Sequence, residues 1–259
     1  MARERIMRAE YLFDAQGRSL APFFSRTMLG MSFNSLFVLS LIFLLFWPYR
    51  DLPAYVASLK TPLSFLGVFT AAVLINGYVG LVCGANEAHP RDYFSRIERR
   101  RVVTFEEERD FLSYGLPGFV LHTLFLLGLQ LPFLLAAAAL TGVPWIGLGQ
   151  GLSIIMVTAL LCRLAGFLTY LHFGAWTRFG YMTTRAFLLA YLLATGLLLP
   201  AANPVLQIYA LHEGRPLDFL PTLGGYAGFL LISLAVLLAL ILAAQVRVRR
   251  GPAGRQGGG

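Results

Sequence analysis

Residues 145–171 read WIGLGQGLSIIMVTALLCRLAGFLTYL, an apolar run broken by one charged side chain, Arg163. An α-helix rises about 1.5 Å per residue, so about 20 residues cross the hydrocarbon core of a bilayer. The run is long enough. Its apolar residues are continuous and do not alternate with polar ones, which selects a helix over a barrel strand, the two forms that satisfy every backbone group in lipid.

Five more runs of the same kind flank it. They span residues 28–47 (ended by Pro48), 62–84, 117–140, 184–201 (with Pro204 following) and 224–246. The composition agrees: 57% of residues are hydrophobic, 13% are charged, and mean hydropathy is +0.68. The expected fold is an all-α integral membrane protein with six transmembrane helices. Residues 1–27 form a cytoplasmic amphipathic segment, 28–246 the membrane domain, and 247–259 a disordered basic and Gly-rich tail. No apolar core directly follows the early arginines, so no cleaved signal is expected. Cys83 and Cys162 lie within or at the end of apolar runs and read as buried thiols.

The arginines orient the bundle, because cytoplasmic segments retain Lys and Arg. Arg3, Arg5, Arg8, Arg18 and Arg26 precede the first run; only Arg50 and Lys60 follow it. Six arginines follow the second run and none follow the third. Arg178 and Arg185 follow the fourth, Arg215 follows the fifth, and Arg247, Arg249, Arg250 and Arg255 follow the sixth. The alternation is unbroken and puts both termini in the cytoplasm. It also accounts for the net charge of +8 without nucleic acid, for which no aromatic-interleaved basic face exists.

The second cytoplasmic segment, residues 85–114, holds more than orientation requires. Between Glu87 and Asp110 it carries 13 of the 34 charged residues, seven of them acidic. Pro90 suits a first helical turn. Beyond it Tyr93, Phe94 and Ile97 fall on one helical face and Arg96, Arg99 and Arg100 on another, near Arg91. Thr104 with Glu107 then forms a capping box that opens a second short helix. Such a segment is a solvated connector, a docking element whose opposite charges fix register, or, less naturally, a carboxylate cluster. Glu106, Glu107 and Glu108 point in different directions around a helix, so they do not converge on one site.

Elsewhere the chemistry is sparse. His89, His122, His172 and His212 show no metal-pair spacing; the first three, with Glu87, could serve a membrane-embedded enzyme. The one lysine, Lys60, lies outside any GxxxxGK[ST] loop, so this chain has no Walker A site for ATP. Within the runs the polar candidates are Asn76, Gln130 and Arg163. They either face other helices or a pathway or, for Arg163, snorkel to the inner surface. The small-residue pairs Gly80/Gly84, Gly147/Gly151 and Gly224/Gly228 suit close helix packing, and Pro132 suits a kink.

The layout resembles the ABC-2 type transporter permeases. LPFLLAAAALTGVP (131–144) is similar to the end of that family's third helix and its short outside turn. LLCRLAGFLTYLHFGAWTRFGYMTTRAFLLAYLL (160–193) resembles its passage from the fourth helix into the fifth. LLLPAANPVLQIYAL (197–211), a last apolar helix and VRVRR (246–250) resemble its asparagine–proline segment and basic tail. The family's loop phrase, an acidic residue followed by GT and a TP pair, is replaced here by ERRRVVTFEEERDF. The resemblance implies a permease subunit of an exporter in a bacterial-type inner membrane, paired with a second copy or a paralogue and surrounded by lipid. It implies ATP and Mg on a separate ATP-binding subunit, no cofactor and no enzymatic step in this chain, and an ATPase-coupling role for Arg91, Tyr93, Phe94, Arg96, Ile97, Arg99, Arg100 and Glu107. The rival readings are the membrane-embedded enzyme and a non-transporting anchor or assembly factor.

Overall fold

A computed structural model describes residues 26–46, 54–88, 116–173, 177–213 and 225–250. The described residues are almost entirely helical and include no strand. In chain order the helices are α1 (Arg26–Phe46), α2 (Ala54–Ala88), α3 (Leu116–Thr141), α4 (Trp145–Phe173), α5 (Thr177–Leu198), α6 (Pro204–Glu213) and α7 (Gly225–Arg250), with a 3₁₀ turn at Pro200–Ala202. Four stretches are long and apolar enough to cross a membrane: Phe65–Ala85 in α2, Leu116–Thr141, Trp145–Thr169 in α4 and Gly225–Arg247 in α7. Gly30–Leu45 in α1 and Ala186–Leu198 in α5 are shorter apolar stretches. α3 stays helical through Pro132.

α2 and α4 form the most extensive helix pair. Their backbones touch because glycines remove the intervening side chains. A Cβ at Gly80 would lie 2.6 Å from the Ala159 carbonyl oxygen, one at Gly84 would strike the Arg163 carbonyl, and one at Gly166 the Leu81 carbonyl. A Cβ at Gly151 would lie 2.6 Å from the Phe69 ring. Partner numbers rise together along both helices, so the two run parallel.

α3 lies antiparallel to α4 because a tight turn joins them. Gly142 takes φ 66° at the end of α3. Its N–H donates to the Ala139 carbonyl at 3.3 Å, and the Val143 N–H donates to the Ala138 carbonyl at 3.1 Å. This is the Schellman arrangement, which needs a left-handed residue and so favours glycine. The bundle therefore has a turn end, at Gly142–Pro144, and a loop end, where residues 89–115 join α2 to α3. α1 runs parallel to α3, since Ser32 meets His122 and Phe43 meets Phe133. α7 runs parallel to α4, with Tyr226 bonded to Ser153 at 2.5 Å and Leu237 packed in the Leu160–Leu164 layer.

α6 answers to none of the six apolar runs. At ten residues it is too short to span. It is nonetheless embedded in the bundle: Ile208 is buried among Phe65, Phe69, Ile154 and Phe229. The chain doubles back to form it. Buried Asn203 donates to the Leu192 carbonyl at 2.9 Å and to Thr195 Oγ1 at 3.1 Å, so the start of α6 lies one to two turns back along α5. Tyr191 and Gln207 tie the reversal down by donating to the carbonyls of Ala202 and Ala201 at 2.9 and 3.1 Å.

Of the three glycine pairs, Gly80/Gly84 makes a helix seam. Gly147 instead faces Val143 of its own turn while Gly151 faces Phe69. Gly228 is buried, and Gly224 lies outside the described residues. Gly84→Ala should lower stability by about 1–3 kcal/mol, the range for overpacking a fixed contact, measured by thermal unfolding in detergent. Gly149→Ala, where a Cβ has nothing within 4 Å, is the control expected to unfold like wild type.

Candidate functional site: a buried polar layer

Four helices meet at one level near the loop end. Arg163 of α4 is 1% exposed, so it does not snorkel. Its Nη1 donates to His122 Nδ1 at 2.7 Å and reaches the Phe119 carbonyl at 3.5 Å. The guanidinium carbon sits 4.6 Å from the centre of the Phe119 ring, a cation–π distance. Phe119 in turn packs edge-on against Phe167 at 5.7 Å. One side chain of α4 thus grips the first two turns of α3.

The bonds fix the imidazole. Arginine only donates, so His122 Nδ1 must accept, and the ring proton lies on Nε2. Nε2 faces Ser32 Oγ of α1 at 3.4 Å. The order Arg163 to His122 to Ser32 links α4, α3 and α1. α2 closes the level with Gly84, whose missing side chain admits the Arg163 backbone.

Two turns along α3 lies a second polar contact. Asn76 of α2 donates from Nδ2 to Gln130 Oε1 at 2.6 Å and to the Ala72 carbonyl at 2.7 Å. Both residues are buried, and Asn76 Oδ1 and Gln130 Nε2 have no hydrogen-bond partner. All three intramembrane candidates are therefore inside the protein, and each bonds to a neighbouring helix.

In the arrangement His122 offers no lone pair to a metal: one nitrogen accepts from Arg163 and the other carries the proton. His212 is far from it, stacked on Phe65 at 6.0 Å towards the turn end. His89 and the side chains of His172 and Glu87 lie outside the described residues. No group of three His, Cys, Asp or Glu able to hold a metal occurs among the described residues. Arg91, Tyr93, Phe94, Arg96, Ile97, Arg99, Arg100 and Glu107 also lie outside them.

The pairing of Arg163 with His122 escaped the residue-by-residue reading, although a signal existed. Two helices joined by a tight turn bring residues equidistant from it to one level. His122 stands 21 residues before Val143 and Arg163 stands 20 after; Phe119 and Phe167 are each 24 away.

Arg163→Leu should destabilise the bundle, because it leaves a buried imidazole nitrogen without its donor, a loss of about 1–3 kcal/mol. Adding His122→Leu to Arg163→Leu should cost less than the sum of the single changes, with a coupling of about 0.5–3 kcal/mol. Additive losses in detergent unfolding would show that the two side chains act independently.

The chain matches no family model, and no curated protein or solved structure matches it.

Proposed function

We propose that this chain is the membrane-spanning subunit of an ATP-binding-cassette exporter. The observation that carries the reading is the mixed-charge segment between α2 and α3, in a chain whose apolar layout resembles the ABC-2 permeases and which has no Walker A loop. In this proposal α1 and α5 complete six crossings, the loop end faces the cytoplasm, and the protein sits in a bacterial-type inner membrane. Two copies, or one copy and a paralogue, pair with two ATPase subunits. Residues 90–112 dock in a groove of the ATPase, with Tyr93, Phe94 and Ile97 as apolar anchors and Arg91, Arg96, Arg99, Arg100 and Glu107 fixing register. ATP and Mg bind the partner, and its closure moves the docked segment against the bundle. The polar layer supports this reading by its position: Arg163 holds the start of α3, the helix that leaves the docked segment.

Two experiments check it. Cysteines replacing Ser58 and Asp218 should react with an impermeant maleimide from outside, and one replacing Ser95 only from inside; the reverse pattern at any site overturns the orientation.

The second is copurification with an ATP-binding subunit. Phe94→Ala with Ile97→Ala should weaken the complex by more than about 1 kcal/mol, as truncation at buried anchors does. Reversing Arg96, Arg99 and Arg100 to glutamate should hinder association while membrane insertion persists. If the charge-reversed protein binds and stimulates its ATPase normally, the segment is a connector. If no ATPase accompanies the wild type, the exporter reading fails.

A further inference from the structure

α3 is held firmly at both ends and weakly in the middle. At the loop end Arg163 Nη1 bonds to His122 at 2.7 Å, and its guanidinium lies on the Phe119 ring. At the turn end the Gly142 and Val143 N–H groups close on the carbonyls of Ala139 and Ala138, and Leu134, Ala137 and Ala138 are buried in the core. Between these ends the polar contact to α2 is one bond, from Asn76 Nδ2 to Gln130 Oε1. The other bond of Asn76, to the Ala72 carbonyl, stays within α2 and holds no helices together. Asn76 Oδ1 and Gln130 Nε2 are buried without a partner. Burying an unpaired polar atom costs at least as much as an amide hydrogen bond returns, and this contact leaves two such atoms for one interhelical bond. The middle of α3 therefore gains by meeting water.

The backbone gives that stretch a direction in which to move. Pro132 has no N–H to donate to the Gly128 carbonyl, and its ring crowds that oxygen. Crowding lengthens the helix on the side that carries both residues, so a kink here is convex on that side. Gly128 and Pro132 are both exposed, and a Cβ at Gly128 would meet nothing within 4 Å. Gln130, two residues from each, lies on the opposite face and is 0% exposed. A helix fixed at both ends that turns convex outward must bow, and the bow draws Gln130 away from Asn76.

We propose that α3 is a hinged wall that bows outward about residues 128–132, parting from α2 at the Asn76–Gln130 contact and admitting water to the two unpaired amide atoms. The opening extends one layer towards the loop end, where Val79 and Cys83 of α2 pack on Leu126 of α3. α2 does not follow, because its backbone contact with α4 at Gly80 and Gly84 leaves it no room to shift. The amide pair is thus a latch. Its closed form is incompletely bonded, and opening it breaks one interhelical hydrogen bond. The device needs no ATPase partner and stands apart from the exporter reading.

Two native thiols report the motion in the unaltered chain. Cys83 is 0% exposed in the layer between α2 and α3. Cys162 is 1% exposed among Leu81, Ala165 and Leu188, a cluster to which α3 contributes no residue. The test is reaction of the full chain in phosphatidylethanolamine and phosphatidylglycerol nanodiscs with N-ethylmaleimide, which crosses lipid, each adduct being timed by mass spectrometry. Cys83 should react about tenfold faster than Cys162, as a residue in a locally opening unit does. Pro132→Ala restores the missing donor and should slow Cys83 about tenfold while leaving Cys162 unchanged. If that variant does not insert, Asn76→Leu with Gln130→Met removes the unpaired atoms at similar volume and should slow Cys83 in the same way. A Cys83 rate no higher than that of Cys162 overturns the proposal on wild type alone. So does a Cys83 rate that the inserted variant leaves unchanged, which would place the opening at α1, whose Met31 packs on the same layer.

Discussion

The backbone contact between α2 and α4 sets the rest of the bundle. Between helices in lipid there is no hydrophobic driving force, because the tails are as apolar as leucine; close packing and hydrogen bonds must hold the helices together. Gly80, Gly84 and Gly166 let main chain meet main chain, which leaves one register available. That register makes the pair parallel. The turn at Gly142 then forces α3 to run antiparallel beside them, and α1 and α7 take their directions from α3 and α4. It also brings the Arg163 backbone to Gly84, and with it the guanidinium to the start of α3.

The two polar contacts differ in how completely they are made. At Arg163 the imidazole uses both nitrogens, and the guanidinium has a ring face as well as hydrogen-bond acceptors. Removing one member leaves the others buried and short of a partner, which is why such layers hold helices in a single arrangement. Asn76 and Gln130 make one bond where two amides can make two, leaving one donor and one acceptor unused. Of the two contacts, the Arg163 layer specifies the packing and the amide pair merely tolerates it. The buried cation thus sits at the start of α3, at the loop end of the bundle.

The apolar runs made the helices legible because a bilayer demands length and uniformity, both visible in a linear string. The run at 145–171 became α4, and the Gly80/Gly84 pair became a seam. What stayed hidden was contact between runs. The spacing of His122 and Arg163 carries meaning only once TGVP is known to be a tight turn. Gly147 and Gly151 share a helix face in sequence, yet one sits beside its own turn. α6 was hidden for a different reason: Pro204 reads as a breaker beyond the fifth run, whereas here it begins a ten-residue helix.

The same dipeptide explains how a helix can begin inside the bundle at all. The first four N–H groups of a helix lack intrahelical partners, and away from water each must find one in the protein. Pro204, at the first position, has no N–H to satisfy. The next two, of Val205 and Leu206, donate to Asn203 Oδ1 at 3.0 and 3.1 Å. The remaining one, of the cap residue Asn203 itself, donates to the Pro200 carbonyl at 3.0 Å. With the side-chain nitrogen of Asn203 bonded back to α5, the accounting is complete. An alanine at 203 would orphan two half-buried donors, and an alanine at 204 would add a third. Asparagine followed by proline thus satisfies every orphan group within the protein, which lets α6 start one to two turns inside the end of α5.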